Sequence, residues 1–148
     1  MNRQPYPDLG VVDVSFISLT KVLPAMWKLM QAPREVLLLV KPQFEVGRDR
    51  VGKKGVVRDT KDQAGAIFQV LQSAQALGWR YRGLTWSPLV GPAGNIEYLL
   101  WLDMVSSENA LTSPDLEEIK QLTRSAHRAL TKDPEDLPPS ANQFDEPE

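Results

Sequence analysis

Apolar residues along this chain fall into two rhythms, and the alternation between them outlines a fold. Leu9 to Phe16 (LGVVDVSF) is a β-branched, mostly apolar run with one aspartate inside it, the pattern of a strand buried on both faces. Ser18 stands where a helix cap belongs. Leu19, Val22, Leu23, Met26, Trp27 and Met30 follow at offsets of three and four and predict one apolar face of a helix over about 19–31. Pro33 closes that region, and Glu35 to Val40 (EVLLLV) reads as a second strand, fully buried. Strand, helix and strand in close succession make a βαβ unit.

Pro42 to Asp59 is rich in glycine and charge and has neither period, so it reads as a long loop. Thr60 and Gln63, three apart, have the spacing of a capping box. The helix they predict, about 60–77, carries Ile67, Val70, Leu71, Ala74 and Leu77, with Gly78 at the position that stops it. Trp79 to Trp86 is a third strand, Ser87 to Gly94 a turn, and Asn95 to Met104 a fourth strand. Ser113-Pro114 opens a last amphipathic helix to about 131, with Leu116, Ile119, Leu122, Ala126 and Leu130 on one side. The helical crossover makes the third strand parallel to the first two, and the short connection after it reverses the fourth. The expected fold class is α/β, a partial Rossmann-like sheet of three parallel strands and one antiparallel strand with flanking helices.

In such a sheet, ligands bind beyond the carboxyl ends of the parallel strands. Asp13 falls in the later half of the first strand, Lys41 closes the second, and Glu97 is the third residue of the reversed fourth, so all three reach one edge. Taken singly, Asp13 reads as a loop cap, Lys41 as a strand-end lysine reaching for water, and Glu97 as a solvent-facing strand residue. Their convergence turns them into a candidate site.

Composition narrows the picture. The 148 residues, 42% hydrophobic and 24% charged, suit one globular unit with a core. The net charge of -2 hides a basic loop: Arg48, Arg50, Lys53, Lys54, Arg58 and Lys61 stand against Asp49 and Asp59. That concentration predicts an anionic partner, with arginine and lysine meeting its charged groups, while a solvated loop is the plain alternative. Gly47, Gly52 and Gly55 would let the loop backbone approach the strand closely. With no cysteine, disulfides and thiolate metal sites are excluded, and no metal is expected. The first ten residues lack the apolar core of a signal peptide, and Val36 to Val40 is too short to span a bilayer. A soluble, cytoplasmic protein is expected. Trp79 and Trp86 can stack on bases or fill the core, and His127 reads as structural or exposed. From Lys132 to Glu148, six acidic residues and four prolines read as a disordered tail.

The stretches DVSFISLTKVLPA, LLLVKPQFEVGRDRVGKKGVVRD and SPLVGPAGNIEYLLWL, in that order, resemble the carboxy-terminal half of the TlyA (hemolysin A) family of RNA ribose methyltransferases, within the FtsJ-like superfamily. The resemblance covers roughly Pro7 to Met104. It implies a methyltransferase that uses S-adenosylmethionine and a Lys-Asp-Lys-Glu tetrad to methylate a ribose 2′-hydroxyl of ribosomal RNA. By motif position, Asp13 resembles the family's aspartate, Lys41 its second lysine and Glu97 its glutamate, with Asp13 also the one remaining contact for the methyl donor. A lysine takes a hydroxyl proton only when desolvation or a nearby positive charge lowers its pKa, and the two carboxylates pull the other way, toward orienting roles. The tetrad's first lysine, the Gly-rich donor loop and the S4-like RNA-binding domain of the family have no counterpart here, and the nine glycines include no G-x-G pair. The expected organisation is therefore 1–104 as the carboxy-terminal half of a methyltransferase domain, 105–131 as a C-terminal helix, and 132–148 as the acidic tail. A chain of this kind is expected to bind the donor weakly or not at all by itself and to self-associate through the exposed edge of its first strand. The alternative is a non-catalytic RNA-binding or interaction module built on the same fold.

Overall fold

In the computed structural model, residues 7–31, 34–104 and 112–131 are described. Pro33 and the acidic segment from Lys132 onward lie outside them. Four strands, β1 (Leu9–Val12), β2 (Glu35–Val40), β3 (Arg80–Trp86) and β4 (Tyr98–Asp103), form one sheet. Three helices, α1 (Leu19–Leu29), α2 (Thr60–Leu77) and α3 (Leu116–Leu130), accompany it.

The sheet order is β1-β2-β4-β3. β1 pairs with β2 in parallel, and β4 pairs antiparallel with both β2 and β3. Strands β1, β2 and β3 therefore point one way and β4 the other, as the connection lengths predict. What the connections do not reveal is that β4 inserts between β2 and β3, which leaves a single parallel ladder.

The helices cover one face. Val36, Leu38 and Val40 of β2 and Tyr98, Leu100 and Leu102 of β4 alternate into a core with Leu19, Leu23, Ile67, Val70, Leu71, Trp79 and Ile119. Residues of the opposite parity are left uncovered: Trp101 is 38% exposed, and it shares an apolar depression of about 430 Å³ with Leu9, Leu37, Leu84 and Leu99. The reading of β1 and β2 as buried on both faces is thus corrected. β2 alternates between buried and half-buried, and β1 is an edge strand with Leu9 and Val11 60% and 71% exposed. A fully apolar strand sequence matches a doubly covered sheet, and here one cover is not among the described residues.

Local signals held at some ends and failed at others. Ser18 caps α1, its hydroxyl accepting from the Thr20 N–H. The capping box expected at Thr60 and Gln63 is absent: Asp59 caps α2, accepting from the Lys61 N–H at 2.8 Å. Gln63 is buried instead, donating to the Val57 carbonyl and accepting from the Tyr98 hydroxyl at 2.6 Å. α3 has its capping box on Asp115 and Glu118, one residue beyond the Ser113-Pro114 start expected for it. Trp79 is buried against Trp27 in an edge-on contact, so its ring belongs to the core and is not available to bases.

Gly78 ends α2 with φ 113°, and a Cβ there would lie 2.7 Å from the Trp27 ring. Gly78→Ala should destabilise the fold by at least about 1–2 kcal/mol from the left-handed backbone alone. Chemical denaturation measures this, and an unchanged midpoint would show that the cap relaxes without cost.

Candidate active site

The β2–β4 register pairs Val40 with Tyr98, so the next residues along the two strands are Lys41 and Glu97. Opposed positions on antiparallel strands lie about 4.5–5.5 Å apart at Cα, and both side chains line one cavity of about 450 Å³ with Ser15, Gln43, Lys54 and Asn95. Lys41 is 13% exposed, and its ammonium meets the Asp13 carboxylate at 2.5 Å and donates to the Ser15 hydroxyl at 3.3 Å. β1 ends at Val12, so Asp13 lies just past the strand, not within it, and its side chain is 62% exposed. Glu97 also precedes its strand by one residue, yet its carbonyl still accepts from the Ser87 N–H, continuing the turn between β3 and β4. Far from facing solvent, Glu97 is 7% exposed.

Glu97 is held from two sides. The Gln43 amide stands 3.5 Å from its carboxylate. Across from it the Gly91 backbone comes so close that a Cβ there would sit 2.8 Å from the carboxylate. Asn95, two residues earlier, is buried and serves the basic loop: it accepts from the Val57 N–H at 3.0 Å and donates to the Gly55 carbonyl at 2.8 Å. Val56 and Val57 are buried, so the loop is anchored at its far end although its tip is exposed. Its glycines act within the loop, not against a strand: the Gly52 N–H donates to the Val56 carbonyl at 2.9 Å, and Gly55 has φ 73°.

Reasoning on sequence missed Glu45. Its carboxylate accepts from the Ser18 hydroxyl at 2.6 Å and the Leu19 N–H at 2.7 Å, so it ties the segment after Lys41 to the start of α1. Burial pushes its carboxyl above the usual range, while those two hydrogen bonds pull the other way. Gln43, Gly91 and Asn95 were missed too. Only the polarity of Asn95 inside an apolar strand signal could have flagged one of them.

The basic loop separates into roles. Arg48, Lys53 and Lys54 are exposed on short 3-10 turns. Arg50 is engaged by Asp62 at 2.6 Å. Lys54 lines the cavity with Lys41, and Arg58 lies apart at the start of α2. Among the described residues, no group of acidic or histidine side chains could hold a metal ion, and no helix is long and apolar enough to cross a membrane.

Comparison with known proteins gives the family. The FtsJ-like methyltransferase family matches residues 2–104. The 16S/23S rRNA (cytidine-2'-O)-methyltransferase TlyA of Mycobacterium tuberculosis is 44% identical, over 86% of this chain and 45% of the relative. A Bacillus subtilis protein named as the rRNA methyltransferase YqxC is 39% identical, over 89% of this chain and 47% of that protein. A solved structure bearing the name hemolysin, from Streptococcus thermophilus, superposes with a TM-score of 0.76 at 35% identity, over 86% of this chain and 45% of its own. The chain spans about half the length of the curated relatives it matches.

Because the folded value of Glu45 lies above its ordinary 4.5, ionisation is the disfavoured state in the native protein. Its contribution to stability is fully present below pH 4.5 and is lost as pH rises through the folded value. Glu45→Gln does not titrate, so its stability relative to the parent should rise between acid and neutral pH. Glu45→Ala should lose about 1 kcal/mol with its hydrogen bonds from Ser18 and Leu19. Denaturation curves across pH measure both, and a pH-independent gap between Glu45→Gln and the parent would contradict the assignment.

Proposed function

Because this chain belongs to the FtsJ-like methyltransferase family, we propose that it forms the ribose-facing part of the active site of an S-adenosylmethionine-dependent ribosomal RNA 2′-O-methyltransferase. The observation that carries this reading is the placement of Lys41, held by Asp13 and Ser15, in one cavity with Glu97. The Lys41 ammonium donates to the ribose hydroxyl oxygen. Asp13 fixes where the ammonium points, and Glu97 accepts the hydroxyl's own proton as a hydrogen bond from the opposite strand. A hydroxyl held between such a donor and such an acceptor keeps one lone pair directed at the methyl group, and that positioning accounts for much of the rate gain in a bimolecular transfer. Arg48, Lys53, Lys54 and Arg58 hold RNA phosphates beside the cavity.

The methyl group comes from S-adenosylmethionine in this family. The described residues do not fit the whole of that molecule. The first amides of α1 at this edge are already taken by Glu45 and Ser18, and that of α2 by Asp59. Asp13, largely exposed, is the residue left to meet the donor. The alternative, a non-catalytic RNA-binding module, draws on this same mismatch.

Self-association through the open edge of β1 completes the proposal, since Leu9 and Val11 are exposed beside unpaired backbone.

Three experiments test it. Calorimetry on this chain should find S-adenosylmethionine binding weaker than micromolar, and no transfer should be measurable. In a methyltransferase completed with the remaining half that the relatives carry, Lys41→Ala should abolish transfer and leave RNA affinity nearly unchanged. Retained transfer would return Lys41 to a strand-end lysine. Light scattering on this chain should show species larger than a monomer, and a clean monomer would remove the edge from the proposal.

A further inference from the structure

A second concentration of positive charge lies outside the Lys41 cavity. Arg124, His127 and Arg128 occupy positions i, i+3 and i+4 of α3, one exposed face of the helix. They meet Arg58, at the end of the basic loop, around a cavity of about 420 Å³. The Thr123 hydroxyl donates to the Thr60 carbonyl at 2.9 Å and so holds this part of α3 against the first turn of α2. Among the described residues, none of the three arginines takes part in an ion pair, whereas Arg50, Arg80 and Arg82 each have a carboxylate. Among the described residues the one acid lining the pocket, Asp59, is occupied as the cap of α2. That cap takes the Lys61 N–H, and the charge at the pocket comes from the arginine side chains. Like charges gathered without counter-charges destabilise a surface, and an anion that enters relieves the repulsion.

We propose that this pocket binds a backbone phosphate of the substrate RNA, as an anchor separate from the nucleotide held at Lys41. The inference rests on the reading of the chain as part of an RNA methyltransferase and adds a second contact point to it. Two features favour RNA over an unrelated anion. The pocket lies at the same edge of the sheet as Lys41, because α2 follows β2 through the basic loop. Lys54 lines the first cavity and Arg58 the second, four residues later. Four residues of chain span at most about 14 Å, close to four nucleotides of a stacked strand at about 3.4 Å each. Arginine forks match phosphate oxygens in bidentate fashion, and three of them suit a group that carries no base identity.

His127 is the only histidine of the chain, so its imidazole resonance reports on this pocket and on nothing else. Titration of the full chain with a single-stranded RNA oligonucleotide should shift that resonance, and the loop variant Lys53→Ala/Lys54→Ala should keep the shift. In fluorescence anisotropy over a salt series, Arg124→Ala/Arg128→Ala should lower the slope of log affinity against log salt by about one. Both positions are exposed, so circular dichroism should match the parent, and Arg124→Lys/Arg128→Lys should restore most of the slope. An unmoved His127 resonance together with an unchanged slope would overturn the proposal. So would inorganic phosphate shifting the resonance while RNA binds no tighter than phosphate, which would make this a site for free anion. If the parent binds no RNA at all, the RNA reading of the whole chain fails. If the parent binds and the arginine variant matches it, only this pocket fails.

Discussion

The antiparallel pairing of β2 with β4 is the constraint on which the rest of the molecule depends. Its register runs from Glu35 opposite Asp103 to Val40 opposite Tyr98, with six pairs in unbroken order. A slip by one residue would exchange the buried set Val36, Leu38 and Val40 for the half-covered set Leu37 and Leu39. Register is therefore set by the core. The same register brings Lys41 and Glu97 across from each other at the strand ends, so the energy that specifies the hydrophobic core also specifies the polar site.

β4 carries a buried acid at each end, and the two have different fates. Asp103 faces Arg82 at 3.3 Å and Arg80 at 3.9 Å, both from β3, and its charge is answered inside the protein. Among the described residues Glu97 has the Gln43 amide, 3.5 Å away, as its hydrogen-bonding partner, and it looks into a cavity. A buried carboxylate with one weak protein contact is costly to maintain unless something else approaches it. Lys54 of the basic loop lines the same cavity as Glu97, so a cation and a buried carboxylate face one opening.

A chain of polar contacts keeps that edge rigid. Tyr98, in the core layer of β4, donates to Gln63 of α2, and Gln63 donates to the Val57 carbonyl of the loop. Asn95 takes the Val57 N–H and the Gly55 carbonyl. Burial pushes the Tyr98 hydroxyl well above its ordinary range, so it remains a donor at every physiological pH. Tyr98, Gln63, Asn95 and Val57 are buried, and removing one of these partners would leave another unsatisfied. The long basic loop is thus ordered at its root by strand, helix and side-chain amides while its cations remain in solvent.

Periodicity in the sequence determined the elements. Offsets of three and four marked α1 and α3, connection length marked the reversed direction of β4, and Gly78 marked the end of α2, because these depend on interactions within a few residues. The three motif residues were also legible, since each sits at an end of a strand that the pattern delimits. Tertiary structure decided what local rules cannot express. That β4 lies between β2 and β3, and so faces Lys41, depends on which edge it pairs with, and both edges satisfy the same short turn. The apolar runs of β1 and β2 implied cover on both faces, yet burial is a property of what packs on a strand and not of its own residues. Thr60 and Gln63 had the spacing of a cap, but burial beside Tyr98 gave Gln63 a stronger role and left the cap to Asp59. Glu45, Asn95 and the arginines of α3 meet partners between 26 and 70 positions away in the chain, and separations of that kind leave no trace in sequence spacing.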